Sequence, residues 1–313
     1  MQYICKKNRM TNLIVGTVGF DAIETPYGKT DKIVGGAATY ISLAASFFTE
    51  KINLVSVVGG DFPSSAIEML QKHNVNTAGL QIKENEKTFF WSGRYHNNMN
   101  SRDTLETQLN VLETFDPIVP KEFSESEILM LGNLVPSVQQ KVLGQMKKRP
   151  KLIVLDTMNF WMDNCWDDLI EALKKVDVLT INDEEAQQLS GEHSLVNAAK
   201  KIRTMGPKYL IIKKGEHGAL LFGEDQIFSA PALPLEKVFD PTGAGDSFAG
   251  GFIGHLSNEK EISFEKMKTA VIYGSVMASF CVEKFGTERL AEITSKDVLE
   301  RAQKFVELSS FDI

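Results

Sequence analysis

A chain of 313 residues suffices for one large domain or two modest ones, with a full buried core. Hydrophobic residues make up 43% and charged residues 24%, an ordinary globular balance. With 34 Lys+Arg against 41 Asp+Glu the net charge is −7, which speaks against a nucleic-acid or anionic-membrane binder. Any bound phosphate must therefore be held locally, by backbone N–H groups, a few cations or a metal. Cys5, Cys165 and Cys281 are far apart and show no C-x-x-C spacing, and the five histidines include no H-x-x-x-H pair. Neither a disulfide framework nor a zinc site of the usual spacing is expected, and a reducing, cytoplasmic setting fits.

In chain order, Lys6, Lys7 and Arg9 precede Leu13-Ile14-Val15 and faintly resemble a signal peptide. The apolar run is short, is broken by Gly16 and Gly19, and meets Asp21 without a small-residue cleavage site. A first buried strand, Leu13–Val18, is the expectation, with residues 1–9 a loose extension ahead of Met10. Further strands are expected at Asn53–Val58, Ile128–Leu131, Leu152–Leu155, Val178–Ile181 and Leu210–Lys213. Helices are expected at Ala38–Phe48, Ser64–His73, Val138–Lys147, Trp166–Lys175, Glu184–Leu189 and Leu195–Thr204. No stretch approaches the ~18 apolar residues of a membrane span. The alternation implies an α/β fold, a doubly wound and mainly parallel sheet with helices on both faces, its ligands beyond the carboxyl ends of the strands. Thr88–Tyr95 breaks the alternation, being aromatic and β-prone, and polar Asn97–Asn110 follows it, with a strand-like piece near Val111. Together with Phe20–Ile33 it reads as a small β appendage.

Asp240-Pro-Thr-Gly-Ala-Gly-Asp246 carries the most chemical information. Pro241, Gly243 and Gly245 prevent regular structure before Asp246. Residues 246–256 then have helical spacing, with Gly250 and Gly254 allowing close packing. A glycine turn opening a helix presents unpaired N–H groups and the positive end of the dipole, a site for an oxyanion. Asp246 is either a first-turn cap or, lying beside that anion, a base for an attacking hydroxyl. Three other motif readings fail. Gly243-x-Gly245-x-x-Phe248 lacks the third glycine of a dinucleotide fingerprint. Gly245–Gly250 is one residue too long for a G-x-S-x-G elbow. Gly28-Lys29-Thr30 has Ile23 where a P-loop needs glycine.

With that segment read, the chain resembles the ribokinase-like (PfkB) carbohydrate kinases. The likeness rests on D-x-T-G-A-G-D-x-F at Asp240–Phe248, on Asn182-Asp-Glu-Glu185 as the family's N-x-x-E, and on Gly35-Gly36 leading into a helix. It runs from about Leu13 to Gly286 and implies a single kinase domain over 1–313, with a β lid from segments 17–33 and 86–111. The resemblance makes Asp246 the catalytic base, and the Gly243, Ala244 and Gly245 N–H groups the anion hole. It assigns Asn182 and Glu185 to Mg²⁺ beside the nucleotide, and Lys213, Gly215 and Gly218 to ATP. Asp240, Thr242 and the loop 281–286 would form a monovalent-cation (K⁺) site. Asp21, Gly35, Gly36 and Tyr40 would line the acceptor site.

Tyr40 stands where the family often has an asparagine, and one hydroxyl cannot reproduce an amide's paired donor and acceptor. That argues against a ribose-type acceptor and leaves a nucleoside, a cyclitol or another polyol, with Phe90 or Trp91 either stacking on a base or packed in the core. The implied function is ATP-dependent phosphorylation of a hydroxyl on a sugar or related polyol, or on a nucleoside. The alternatives are a catalytically silent sugar- or nucleotide-binding regulator and, more remotely, a hydrolase using Ser247. Small molecules, not nucleic acid or membrane, are the expected partners, and the aromatic strand Phe89–Trp91 would permit a homodimer through the lid.

Overall fold

The computed structural model describes residues 9–310 and 312; Cys5, Lys6 and Lys7 lie outside them. In chain order the strands are β1 (Asn12–Val15), β2 (Gly19–Thr25), β3 (Gly28–Lys29), β4 (Ile33–Gly35), β5 (Ile52–Gly59), β6 (Val75–Lys83) and β7 (Phe90–Tyr95). They continue with β8 (Arg102–Gln108), β9 (Ile128–Leu131), β10 (Leu152–Asp156), β11 (Val178–Asn182), β12 (Tyr209–Lys213), β13 (Ala219–Phe222) and β14 (Ile227–Ala230). The helices are α1 (Ala37–Ser46), α2 (Ser64–Lys72), α3 (Pro136–Gln145), α4 (Asn159–Asn164), α5 (Trp166–Leu173) and α6 (Asp183–Ser190). After these come α7 (Leu195–Arg203), α8 (Ala244–Leu256), α9 (Phe264–Cys281), α10 (Glu288–Glu292) and α11 (Ser295–Ser309). Among the described residues no helix is long and apolar enough to cross a membrane.

The larger sheet has the order β14-β13-β12-β11-β10-β9-β1-β5-β6, parallel except for the antiparallel β12–β13 and β13–β14 pairs. Its inner strands are apolar almost throughout because both faces are covered. On one face Ile14, Leu54, Met130 and Val154 join Ile41, Phe252, Val271 and Met277 in the core. On the other, Leu13, Val15, Val55, Leu129 and Leu155 join Val138, Val142, Leu169 and Ile202. The period-2 alternation along each strand assigns the two faces, as the apolar runs require.

From β1 the chain moves outward to β5 and β6, then returns to β9 on the other side of β1 and winds away toward β14. The order thus reverses between β1 and β9, and a crevice opens there at the strands' carboxyl ends. A second sheet, β3-β2-β7-β8 with β4 also paired to β2, is built from the two segments expected to form the lid. It includes β4, which reaches past residue 33.

Three expectations need correction. The first strand ends at Val15, short of Val18. The Thr17 hydroxyl and carbonyl accept the Ala37 and Ala38 N–H groups at 2.9 Å each, so residues 16–18 turn to anchor α1 before Gly19 enters the lid. Val111 belongs to no strand: it is the buried centre of a 3-10 turn, Asn110–Leu112, whose Asn110 has φ 49°. The helix expected at Val138–Lys147 runs Pro136–Gln145, since proline suits the first helical position.

Candidate active site

The loop before α8 is moulded on Tyr40. Gly243 takes φ +74°, and a Cβ there would come within 2.4 Å of Tyr40 Cδ1. α8 starts at Ala244, two residues before the expected Asp246, so Asp246 lies in its first turn. First-turn N–H groups lack intrahelical partners; the Ala244 N–H turns back onto the Pro241 carbonyl at 3.2 Å. Lys213 Nζ stands 3.0 Å from where a Cβ on Gly245 would be. A buried ammonium and a helix N-terminus thus meet at one point, which favours an anion there.

Neighbouring parallel strands end at this place. Asp156 closes β10, Asn182 closes β11 and Lys213 closes β12, with Asn182 and Lys213 directly opposite in register. Lys213 Nζ is 2.9 Å from Asp156 Oδ2, and both side chains are largely buried. Asp156 was not visible as a site residue from sequence, although an acid ending an apolar strand is a usable signal.

Asn182 and Glu185 form a complete capping box. The Glu185 N–H donates to Asn182 Oδ1 at 2.7 Å, and the Asn182 N–H donates to Glu185 Oε2 at 2.8 Å. The ordinary helix-cap role is therefore real, and it also fixes Glu185 beside Asp156 and Lys213. Burial first, then the Asp156 charge, push the Glu185 carboxyl up to about 7. The same two causes push Asp246 up to about 7, against the attraction of Lys213 and Arg102. Burial works against the charge on Lys213, but Asp156, Glu185 and Asp246 outweigh it and its pKa is raised. Three carboxyls thus gather around one ammonium.

Across the crevice, Asp21 in β2 is buried, and a Cβ on Gly35 would fall 1.9 Å from Asp21 Oδ2. Only glycine lets this carboxylate lie flat on the backbone. Gly36, at φ +89°, turns the chain into α1 and gives Asp21 a backbone hydrogen bond. Burial, then Asp240 and more weakly Asp246, raise Asp21 to about 7. Tyr40 is 1% exposed and its hydroxyl has no hydrogen-bond partner among the described residues. It is the floor between Asp21 and the Gly243 turn, and it does not line an open pocket.

Other expected site residues act as braces. Asp240 accepts the Thr242 and Gly286 N–H groups, each at 2.8 Å, one on each carboxylate oxygen. The Cys281 thiol lies 3.4 Å from the Thr242 carbonyl. The Thr242 hydroxyl donates to the Tyr95 hydroxyl at 3.1 Å, tying this loop to the lid. Gly218, at φ +80°, would bring a Cβ within 2.0 Å of the Ala230 carbonyl, so packing against the end of β14 demands glycine there. Gly215, at φ +52°, lies under the lid, with Asn100 Oδ1 2.7 Å from its Cβ position.

At the lid's other side, the Thr25 hydroxyl donates to the Phe239 carbonyl at 3.0 Å, and the Tyr27 and Phe239 rings lie 5.3 Å apart. Phe90 packs on the main core. Trp91 covers Gly93 and donates to Thr104 Oγ1 at 3.3 Å, with the Arg102 guanidinium 5.9 Å from its ring. Both aromatic rings are engaged within the protein. Ser247 is fully buried in α8 and no histidine bonds to it among the described residues, which leaves no hydrolase nucleophile there.

Comparison with known proteins shows the family and the fold. The family pattern for pfkB family carbohydrate kinases matches residues 10–294. A cytidine kinase of Thermococcus kodakarensis is 28% identical over 254 residues, covering 80% of this chain and 90% of that protein. The crystal structure of a Methanocaldococcus jannaschii nucleoside kinase, 22% identical, covers 95% of this chain and 99% of its own with a TM-score of 0.75. An Arabidopsis thaliana ribokinase complexed with ribose and ATP gives a TM-score of 0.74 at 20% identity, covering 94% of this chain and 99% of its own. The matched segment holds every strand of both sheets and the Asp240–Asp246 loop. The chain belongs to the pfkB carbohydrate kinase family, phosphotransferases that use ATP and a hydroxyl acceptor on a sugar or nucleoside.

Proposed function

We propose that the protein phosphorylates a hydroxyl of a nucleoside or a related polyol, with Asp246 as the base. The observation that carries this reading is the buried Asp246 carboxyl, raised to about 7, at the helix end where Lys213 and the first-turn N–H groups favour an anion. Asp246 takes the proton from the acceptor hydroxyl as the hydroxyl oxygen attacks the γ-phosphorus in line, and the bond from that phosphorus to the β,γ-bridging oxygen breaks to release ADP. The α8 N-terminus and Lys213 stabilise the charge that develops on the phosphoryl oxygens. Asp21 holds vicinal hydroxyls of the acceptor with its two oxygens, and the lid excludes water. The likeness to a cytidine kinase supports a nucleoside as the first acceptor class to test.

Asp156 and Glu185 are the residues that would hold Mg²⁺ close, since with Asp246 they leave excess negative charge around Lys213. Among the described residues no three His, Cys, Asp or Glu side chains are spaced to cage a metal. That suits an ion bound mainly through water and phosphate oxygens, where it would neutralise phosphate charge. As arranged, Asp240 and Thr242 are a brace, and the chemistry proposed here does not depend on a monovalent cation at them.

The test is ADP release from Mg-ATP across a panel of nucleosides, cyclitols and sugars, with Asp246→Asn beside the wild type. One acceptor class should stimulate turnover, and the variant should lose about 10³-fold or more. Acceptor-stimulated turnover surviving in Asp246→Asn removes Asp246 from its role. ATP binding with no stimulation by any acceptor favours a silent binding protein.

A further inference from the structure

We propose that Arg301, on α11, is a positioning residue for phosphoryl transfer, acting through Glu283 on the loop 282–286 that braces Asp240. The assignment rests on the kinase reading above, because Asp240 holds the turn at which the phosphoryl group is received. α11 lies beyond the segment 10–294 that the family pattern matches, and none of the motifs read from the sequence points to it.

The loop is joined closely to the turn before α8. Gly286 donates its N–H to Asp240 Oδ2 at 2.8 Å, and the Val282 carbonyl accepts the Phe239 N–H at 2.8 Å. Asp240 is fully buried, and its other oxygen holds the Thr242 N–H directly before Gly243. The same loop touches the lid. A Cβ on Gly286, at φ +57°, would fall 2.7 Å from Ile33 Cδ1, and Ile33 is the register partner of Asp21. A Cβ on Gly28, in β3, would lie 3.4 Å from the Phe285 ring. Movement of this loop therefore reaches both the anion turn and the strands around Asp21.

On its outer side the loop is held by charge. Glu283 Oε1 is 2.6 Å from Arg301 Nη2, and Glu283 Oε2 is 2.8 Å from Arg289 Nε. The Arg301 side chain is only 12% exposed. Its guanidinium carbon lies 3.4 Å from the centre of the buried Phe280 ring, and Nη1 donates to Ser279 Oγ at 3.3 Å. Arg301 thus grips the last turn of α9 and the loop that follows it. Exposed ion pairs contribute little. This guanidinium is desolvated on a ring and bonded to Glu283 and Ser279, so its planar fork fixes direction as well as distance. Direction matters here, because a shift of about 1 Å at a reacting group can cost about 10²-fold in rate.

In turnover with the acceptor found above, Arg301→Ala should lower kcat about 10-fold or more while both KM values stay within about 3-fold. Arg301→Lys should recover part of the loss. Arg301→Met, which covers Phe280 again without a charge, should not. Recovery in Arg301→Met reduces the residue to core packing and overturns the proposal. A kcat within about 2-fold of wild type in Arg301→Ala also overturns it, as does a rise confined to the acceptor KM. Adding Arg301→Ala to Glu283→Ala should cost no further rate, since both cut one linkage; losses that multiply overturn the route through Glu283. If Arg301→Ala fails to fold, Glu283→Gln serves the same comparisons.

A second readout needs no acceptor. By NMR, the Thr242 and Gly286 amide hydrogens should exchange about 10-fold faster in Arg301→Ala than in wild type, with β9 and β10 unchanged. Equal exchange at those amides overturns the proposal, and so does uniform acceleration, which would mean general destabilisation. If the wild type turns over no acceptor, the kinase reading fails, and exchange at these amides still decides whether Arg301 holds the loop.

Discussion

Asp246, Glu185 and Asp21 are ordinary carboxylic acids whose surroundings keep them protonated far above 3.8 or 4.5. A base must be ionised to work, so kcat/KM should rise with pH through about 7 and level off above it. The midpoint will belong to Asp246, Glu185 and Lys213 together. A profile between about pH 5.5 and 9 checks this, and a flat one would mean that Asp246 does not limit the reaction. Stability runs the other way. Below their unfolded values all three groups are protonated in both states and their contribution is fully present; it is lost as pH rises through about 7. The ligand-free Tm should therefore fall between about pH 5 and 8, with a shallower fall in Asp246→Asn, which has one linked proton fewer. An equal slope in the variant would contradict the raised Asp246 pKa.

The motif around Asp246 makes this residue legible in sequence, because a glycine turn entering a helix has few other uses. Asp156 is not legible in that way. It looks like the end of any apolar strand, and only the strand register brings it beside Lys213.

At the scale of elements, the close crossing of α1 and α8 is the contact that holds the two halves of the site together. A Cβ on Gly250 would lie 2.3 Å from the Ile41 carbonyl and 2.8 Å from Ala44 Cβ, and one on Gly254 3.0 Å from Ala45. Gly250→Ala should therefore destabilise the protein by about 1–3 kcal/mol, because backbone must move. Gly144 in α3 has nothing within 4 Å of its Cβ position. There, alanine should be neutral or gain about 0.5–1 kcal/mol by helix propensity. Denaturant midpoints of the two variants decide it, and equal shifts would refute the crossing argument.

The spacing of Gly250 and Gly254 announces this packing, and the uniformly buried strands announce themselves as apolar runs. Edge strands do not. β6 and β14 mix exposed and buried positions, and β8 is exposed along its whole length, so their sequences carry little apolar period. They become strands because a neighbouring edge offers hydrogen bonds, which is tertiary information.

For the molecule as a whole, the reversal of strand order beside β1 divides the labour. The chain before β9 supplies Asp21, Gly35 and Gly36, while β10 to β12 and α6 supply Asp156, Glu185 and Lys213. The fold class was readable from the alternation of elements, but the convergence of these residues depends on the winding. The lid inherits an asymmetry from this plan. Its β2 and β7 strands are moored by the Thr25–Phe239 and Thr242–Tyr95 hydrogen bonds and the Tyr27–Phe239 contact, whereas β8 ends the sheet with every residue exposed. Amide hydrogens should then exchange slowly along β2 and fast along β8, with closure on ligand slowing β8 far more than β2. Such a flap swings about the strand that carries Asp21, so the acceptor's own anchor would stay still while the way in opens and shuts.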